Sequence, residues 1–103
     1  MNNSEDNKLV TLATATLARS GAQQAAALRD NTGRTYVAIS VATPSLNLDA
    51  LEAVLTVALA SGISGIESVV ACGEQPSKID AIKEFAPNAT IFYITSNGEE
   101  VTL

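Results

Sequence analysis

The chain has 103 residues, of which 47% are hydrophobic, and its 11 acidic and six basic residues give a formal net charge of −5. This apolar fraction excludes a disordered chain, and the length predicts a single domain over residues 1–103. No apolar run is long enough to span a bilayer, so we expect no membrane association. The basic residues are scattered and only 4% of residues are aromatic, which argues against nucleic acid as a partner.

The first predicted elements are a helix and a hairpin. Ser4 is a candidate cap for the helix, and Gly21 ends it. The helix carries apolar residues at helical spacing: Leu9, Leu12, Ala13 and Leu17. Two strand-like segments, 25–29 and 35–42, then flank the turn residues 30–33, which predicts an antiparallel hairpin. Small or apolar residues on both faces of the second arm indicate a sheet covered on both sides.

A break at Thr43-Pro44-Ser45 precedes a helix predicted from about residue 48 to 61, which Gly62 ends. This helix is apolar on almost every side, apart from a narrow polar line formed by Asp49, Glu52 and Thr56. Such a helix is buried, so we expect it to pack on the sheet and against other subunits. Its alanines would let a second copy approach closely: Ala50, Ala53, Ala58 and Ala60.

The last third of the chain predicts a strand at 66–72, a helix at 77–86 and a strand at 90–96. Ser77 is a candidate cap for the helix, with Asp80 three residues on, and Pro87 ends it. Asn97-Gly98 is a hairpin-turn signal, and 101–103 would return as a short strand. The order α-β-β-α-β-α-β-β predicts a mixed sheet of about five strands in a three-layer α/β/α fold.

This order, with a hairpin at each end, resembles the small cytidine deaminases. Residues 25–29 followed by Gly33-Arg34-Thr35-Tyr36 are similar to the first hairpin of that family. Thr43-Pro44-Ser45 is similar to the loop leading into its buried helix, and 83–89 to the end of its second zinc-bearing helix. The resemblance covers most of the chain from Ala25 to Thr95. It implies a cytidine deaminase-like fold and an oligomer, usually a tetramer.

The resemblance also implies where a site would lie. The family holds zinc with a His or Cys on the buried helix and two Cys at the start of the next helix, and a Glu shuttles protons. In an alignment without gaps, the first ligand falls on Leu51 and the Glu on Ala53. The two cysteines fall on Gln75 and Lys78, and the pair that contacts the ribose falls on Ser40 and Ala42. The aromatic residue over the pyrimidine falls near Ala22.

The chain has one cysteine and no histidine, too few for three such ligands. We therefore expect a degenerate member of the family, a pseudoenzyme that binds no zinc or other cofactor, has no catalytic residues and is not an enzyme. Its expected role is structural or in protein interaction, as a homo-oligomer (dimer or tetramer) or with another protein. The first alternative is a nucleoside- or nucleotide-binding module without catalysis, and a third, less favoured hypothesis is an enzyme of unrelated mechanism that uses acidic residues. Leu and Ala at pocket-facing positions favour the first hypothesis, since they would fill the pocket.

Three other features have a structural and a functional interpretation. Cys72 ends an apolar strand with no nearby cation, which favours a small buried hydrophobe over a reactive thiol. The carboxylates of Asp49, Glu52 and Asp80 could bind Mg²⁺, but we favour their stabilising the positive ends of two helices. Ser45 and Ser77 are interpreted as a turn former and a cap, because no base is available to activate them.

The start of the chain bears on its location. Residues 1–6 are polar and acidic, unlike a signal peptide, which opens basic and then becomes apolar. With a single cysteine the chain forms no internal disulfide. We expect a cytoplasmic protein.

Overall fold

Helices alternate with strands along most of the chain. The structure is a computed structural model that describes residues 3–103. Its elements, in chain order, are α1 (Ser4–Ser20), β1 (Gln24–Asp30), β2 (Thr35–Ile39), β3 (Val41–Ala42), β4 (Asn47–Leu48), α2 (Ala50–Ala60), β5 (Ile66–Gly73), α3 (Asp80–Phe85), β6 (Thr90–Ile94) and β7 (Glu100–Thr102). Met1 and Asn2, which begin the segment interpreted as unlike a signal peptide, lie outside the described residues. Within residues 3–103 no helix has the length and apolar character needed to cross a membrane.

Five strands form a mixed sheet in the order β2-β1-β5-β6-β7. β1 runs antiparallel to both β2 and β5, β5 is parallel to β6, and β7 returns antiparallel to β6. α1 packs on one face of the sheet, whereas α2 and α3 pack on the other. The predicted mixed sheet and three-layer arrangement are therefore confirmed.

β1 lies inside the sheet, and all seven of its residues are buried. Successive side chains of a strand point to opposite faces. Ala25 and Ala27 accordingly pack in the core under α1, and Ala26 and Leu28 in the core under α2. Because three consecutive residues are alanine, the side chains on both faces are short, so helices can pack closely on both sides of the sheet.

The helix termini differ in part from the prediction. Asn3, not Ser4, caps α1, because its Oδ1 accepts hydrogen bonds from the N–H groups of Glu5 (2.8 Å) and Asp6 (3.4 Å). α3 begins at Asp80, and no side chain caps it, so the predicted cap at Ser77 is wrong. Gly21 ends α1 as predicted, with φ 68° and its N–H bonded to the carbonyl of Leu17.

The predicted strand 35–42 is interrupted at Ser40, and its last two residues form a separate small sheet. There β3 pairs with β4 in a hairpin that was not predicted from the sequence. Thr43 closes the turn: its N–H donates to the carbonyl of Leu46 (2.8 Å), and its hydroxyl accepts from the Leu46 N–H (3.0 Å). This small hairpin stands beside the N-terminus of α2.

α2 is buried on one side only. Of the four alanines expected to face a second copy, Ala60 is exposed. The other three, Ala50, Ala53 and Ala58, are 0 to 4% exposed and pack within the domain, so the expectation is wrong for them. The outward side carries Val57 and Leu59, which are 43% and 44% exposed.

Candidate functional site

A polar cleft of about 320 Å³ lies at one end of the sheet, beside the N-terminus of α2. It has three walls: the β1–β2 end of the sheet, the β3–β4 hairpin with the N-terminus of α2, and the loop that follows β5. Its lining residues are Gln23, Gln24, Ser40, Val41, Ala42, Asn47, Leu48, Asp49, Glu74, Gln75, Ser77 and Lys78. A larger depression, of about 440 Å³, runs along the outer side of α1 alone. In the polar cleft, polar groups from several elements converge.

Asp49 holds the N-terminus of α2. One carboxylate oxygen accepts from the Glu52 N–H at 2.9 Å, while the Glu52 carboxylate accepts from the Asp49 N–H at 3.1 Å. This reciprocal pair is a capping box, which confirms the interpretation of both carboxylates as helix-terminal groups. The other Asp49 oxygen accepts from the Lys78 N–H at 3.2 Å, and the Lys78 ammonium lies 3.8 Å from Glu52. Asp49 therefore ties α2 to the loop after β5.

Gln24 makes a second connection between the same two walls. Its side chain is on the face of β1 that carries Ala26 and Leu28, and the residue is 8% exposed. The amide oxygen accepts from the Ala50 N–H at 3.0 Å, and the amide nitrogen donates to the Glu74 carbonyl at 3.1 Å. The Gln24 backbone bonds to Ser40: its N–H donates to the Ser40 hydroxyl (3.2 Å), and its carbonyl accepts from the Ser40 N–H (3.0 Å).

The structure brings together four of the six site positions assigned from the sequence. Ser40, Ala42, Gln75 and Lys78 line the cleft. The other two, Leu51 and Ala53, are 0% and 4% exposed on α2 and do not line it.

Sequence reasoning missed Gln24, although a signal was present. It is a polar residue at the start of a strand otherwise made of alanine and leucine, in phase with two core positions. Buried polar side chains need hydrogen-bond partners, so its place in the pattern marks a bonded group.

The zinc ion implied by the family resemblance does not match the residues of the cleft. No Cys or His lines the cleft, and Asp49 already accepts two backbone hydrogen bonds. Cys72 lies on the opposite face of the sheet, in the core under α1, where burial raises the pKa of its thiol despite a backbone hydrogen bond from Ala25. Within residues 3–103 no group of three or more His, Cys, Asp or Glu side chains could hold a metal ion, which also leaves the Mg²⁺ interpretation of Asp80 with its neighbours unsupported.

Comparison with known proteins identifies the family. The family model described as cytidine deaminase-like matches residues 2–98, and the chain belongs to that family. Its structure is similar to the crystal structure of cytidine deaminase from Mycobacterium leprae, with a TM-score of 0.69 and 19% identity over 93% of this chain and 91% of that one. At this identity the likeness shows the fold. No curated protein matches the sequence.

These findings correct one expectation. The family match points to an enzyme, so the expectation that the chain is a pseudoenzyme and not an enzyme is wrong. The error has a physical reason. Missing Cys and His ligands bear on reactions that need a zinc ion held in the family's way, and they say nothing about other chemistry in the same cleft.

Proposed function

We propose that the polar cleft binds a nucleoside or nucleotide. The observation that carries the proposal is an open, polar cleft at the place where the family resemblance puts the substrate site. Small-molecule sites have volumes of about 300–1,000 Å³, so a cleft of about 320 Å³ suits a ligand of nucleoside size. Leu51 and Ala53, which the sequence suggested would fill this space, are buried on α2 and are not among the lining residues of the cleft.

Side chains free to contact a ligand support the proposal. Asn47, Gln75 and Ser77 line the cleft and are exposed. Asp49 and Gln24, in contrast, are engaged in bonds between the walls. Amide and hydroxyl groups both donate and accept, as the edges of a nucleobase and the hydroxyls of a ribose require.

Isothermal titration with cytidine, uridine and their 5′-monophosphates tests the proposal. We expect saturable binding of at least one of the four. Gln75→Ala should weaken that binding roughly 3- to 10-fold, the effect of losing one neutral hydrogen bond of about 0.5–1.5 kcal/mol. Asn88→Ala, at an exposed position after α3, is the control and should bind like the wild type. No saturable binding up to millimolar concentrations of all four compounds would contradict the proposal.

We also propose that the chain forms a homo-oligomer through the outward side of α2. Val57 and Leu59 support this proposal, because large apolar side chains on a helix are ordinarily turned inward. A second copy presents the same side, and two-fold self-association is the commonest arrangement among soluble homo-oligomers.

A further inference from the structure

We propose that Gln24 is the positioning residue of the cleft and sets the distance between the N-terminus of α2 and the loop after β5. This inference rests on the proposed ligand site for its functional meaning. The hydrogen bonds themselves belong to the fold. One amide bridges the first residue of α2 and the first residue after β5, which are 26 and 50 positions away in the chain.

The two bonds fix the orientation of the amide. The Ala50 N–H is a donor and needs the Gln24 oxygen, whereas the Glu74 carbonyl is an acceptor and needs the Gln24 nitrogen. A carboxylate of the same length satisfies only the first partner, and a thioether satisfies neither as well. The role is therefore specific to glutamine, and a carboxylate at this position releases the loop after β5 while α2 stays bonded.

The backbone of Gln24 is also fixed, so its side chain can hold α2 and the loop after β5 in place. Its backbone is bonded on both sides to Ser40 at the end of β2, and little of the residue is exposed. A buried side chain with both polar atoms bonded loses those hydrogen bonds if it moves, so movement is costly. The three walls of the cleft thus meet at one residue.

Two neighbouring bonds close the same loop. The Glu74 N–H donates to the Gln23 carbonyl at 2.9 Å, and the Lys78 N–H donates to Asp49 at 3.2 Å. Between these two anchors lie the candidate ligand-binding side chains Gln75 and Ser77. Loss of the Gln24 nitrogen frees the start of this segment, and its binding side chains then move relative to α2.

Amide hydrogen exchange of Gln24→Glu and Gln24→Met tests the proposal. In Gln24→Glu the carboxylate still accepts from Ala50, so the Ala50 amide keeps its wild-type protection and the amides of Glu74 and Lys78 exchange roughly 3- to 10-fold faster. In Gln24→Met the amides of Ala50, Glu74 and Lys78 all exchange faster by a similar factor.

Ile91→Val is the matched control, because it removes one methyl group from the core under α2 and lies outside the cleft lining. It should lower the melting temperature without selective loss of protection at Ala50, Glu74 or Lys78. Equal effects of Gln24→Glu and Gln24→Met on all three amides, or no effect on the loop, would overturn the assignment.

Titration with cytidine separates this inference from the proposed function. If wild type binds cytidine, Gln24→Glu should raise the dissociation constant several-fold and Ile91→Val should leave it unchanged. Equal affinity of Gln24→Glu and wild type would refute the positioning role. If wild type binds none of the four compounds tested above, the proposed function fails, and the exchange pattern alone still decides whether Gln24 sets the position of the walls.

Discussion

Gly73 ends β5 in a backbone conformation that other residues rarely adopt. Its φ is +94°, and a Cβ atom at this position would overlap the carbonyl oxygen of Gln23 and crowd Gln24. The Tyr93 hydroxyl, on the neighbouring strand β6, donates to the Gly73 carbonyl and so helps to fix the end of β5. Since Gln23 and Gln24 both line the cleft, the close approach at Gly73 shapes the site as well as the strand.

Gly73→Ala should therefore destabilise the protein strongly. A positive φ alone costs a residue with a Cβ about 1–2 kcal/mol, and the overlap with a backbone oxygen adds to it. We expect a loss of about 3 kcal/mol or more in the free energy of unfolding, measured by urea denaturation. Gly33→Ala is the matched control, because φ is +91° and no atom lies within 4 Å of the added Cβ. Equal losses in the two variants would show that the approach to Gln23 is not tight.

α1 is attached to the sheet by a buried ion pair as well as by apolar packing. Arg29 of β1 donates to Asp6 of α1 at 2.9 Å and to Glu67 of β5 at 2.8 Å. Burial works to lower the pKa of the guanidinium, but the hydrogen bonds to Glu67 and Asp6 outweigh it and raise the pKa. Nη1 of Arg29 finds no partner in the described part of the chain. Loss of the bond to Asp6 would leave a second nitrogen of this buried guanidinium without a partner, so it should destabilise the fold.

Asp6→Asn should lower the free energy of unfolding by about 2 kcal/mol, because it weakens a charge-assisted bond to a buried guanidinium. Glu5→Gln is the control on the same first turn. Glu5 pairs with Lys8 in solvent, so its loss should cost at most about 0.5 kcal/mol. Both variants remove one charge near the helix N-terminus, and their difference in chemical denaturation isolates the contact with Arg29. A difference within the measurement error would contradict the attachment.

Hydrophobic periodicity predicted the long elements, because it records which face is buried. α1, α2 and the strands of the main sheet were predicted to within a few residues, and Gly21 marked the end of α1. Periodicity could not predict the β3–β4 hairpin, whose strands have two residues each. Nor could it choose the cap of α1, since Asn3 and Ser4 are both good capping residues and only the backbone conformation decides.

The cleft depends on contacts between distant parts of the chain, which a sequence pattern does not contain. The family resemblance located Ser40, Ala42, Gln75 and Lys78 in the cleft, but Leu51 and Ala53 are buried away from it. The role of Gln24 depends on Glu74, 50 residues away. The spacing of residues within one helix or strand carries no information about such a pair.

The molecule as a whole should associate through the outward side of α2. A monomer would leave Val57 and Leu59 exposed to water, and association would bury them, which stabilises the assembly by about 25 cal/mol per Å² of apolar area. The formal charge of −5 on each copy opposes association at low salt, so added salt should favour the oligomer.

Light scattering at micromolar concentrations should give at least twice the chain mass of 10.6 kDa. Val57→Glu with Leu59→Glu should reduce that mass to one chain while circular dichroism keeps the wild-type spectrum, and Val101→Glu, on the edge strand β7, should leave the mass unchanged. A wild-type particle of 10.6 kDa across this range would refute self-association and make the outward side of α2 an ordinary solvent-facing surface.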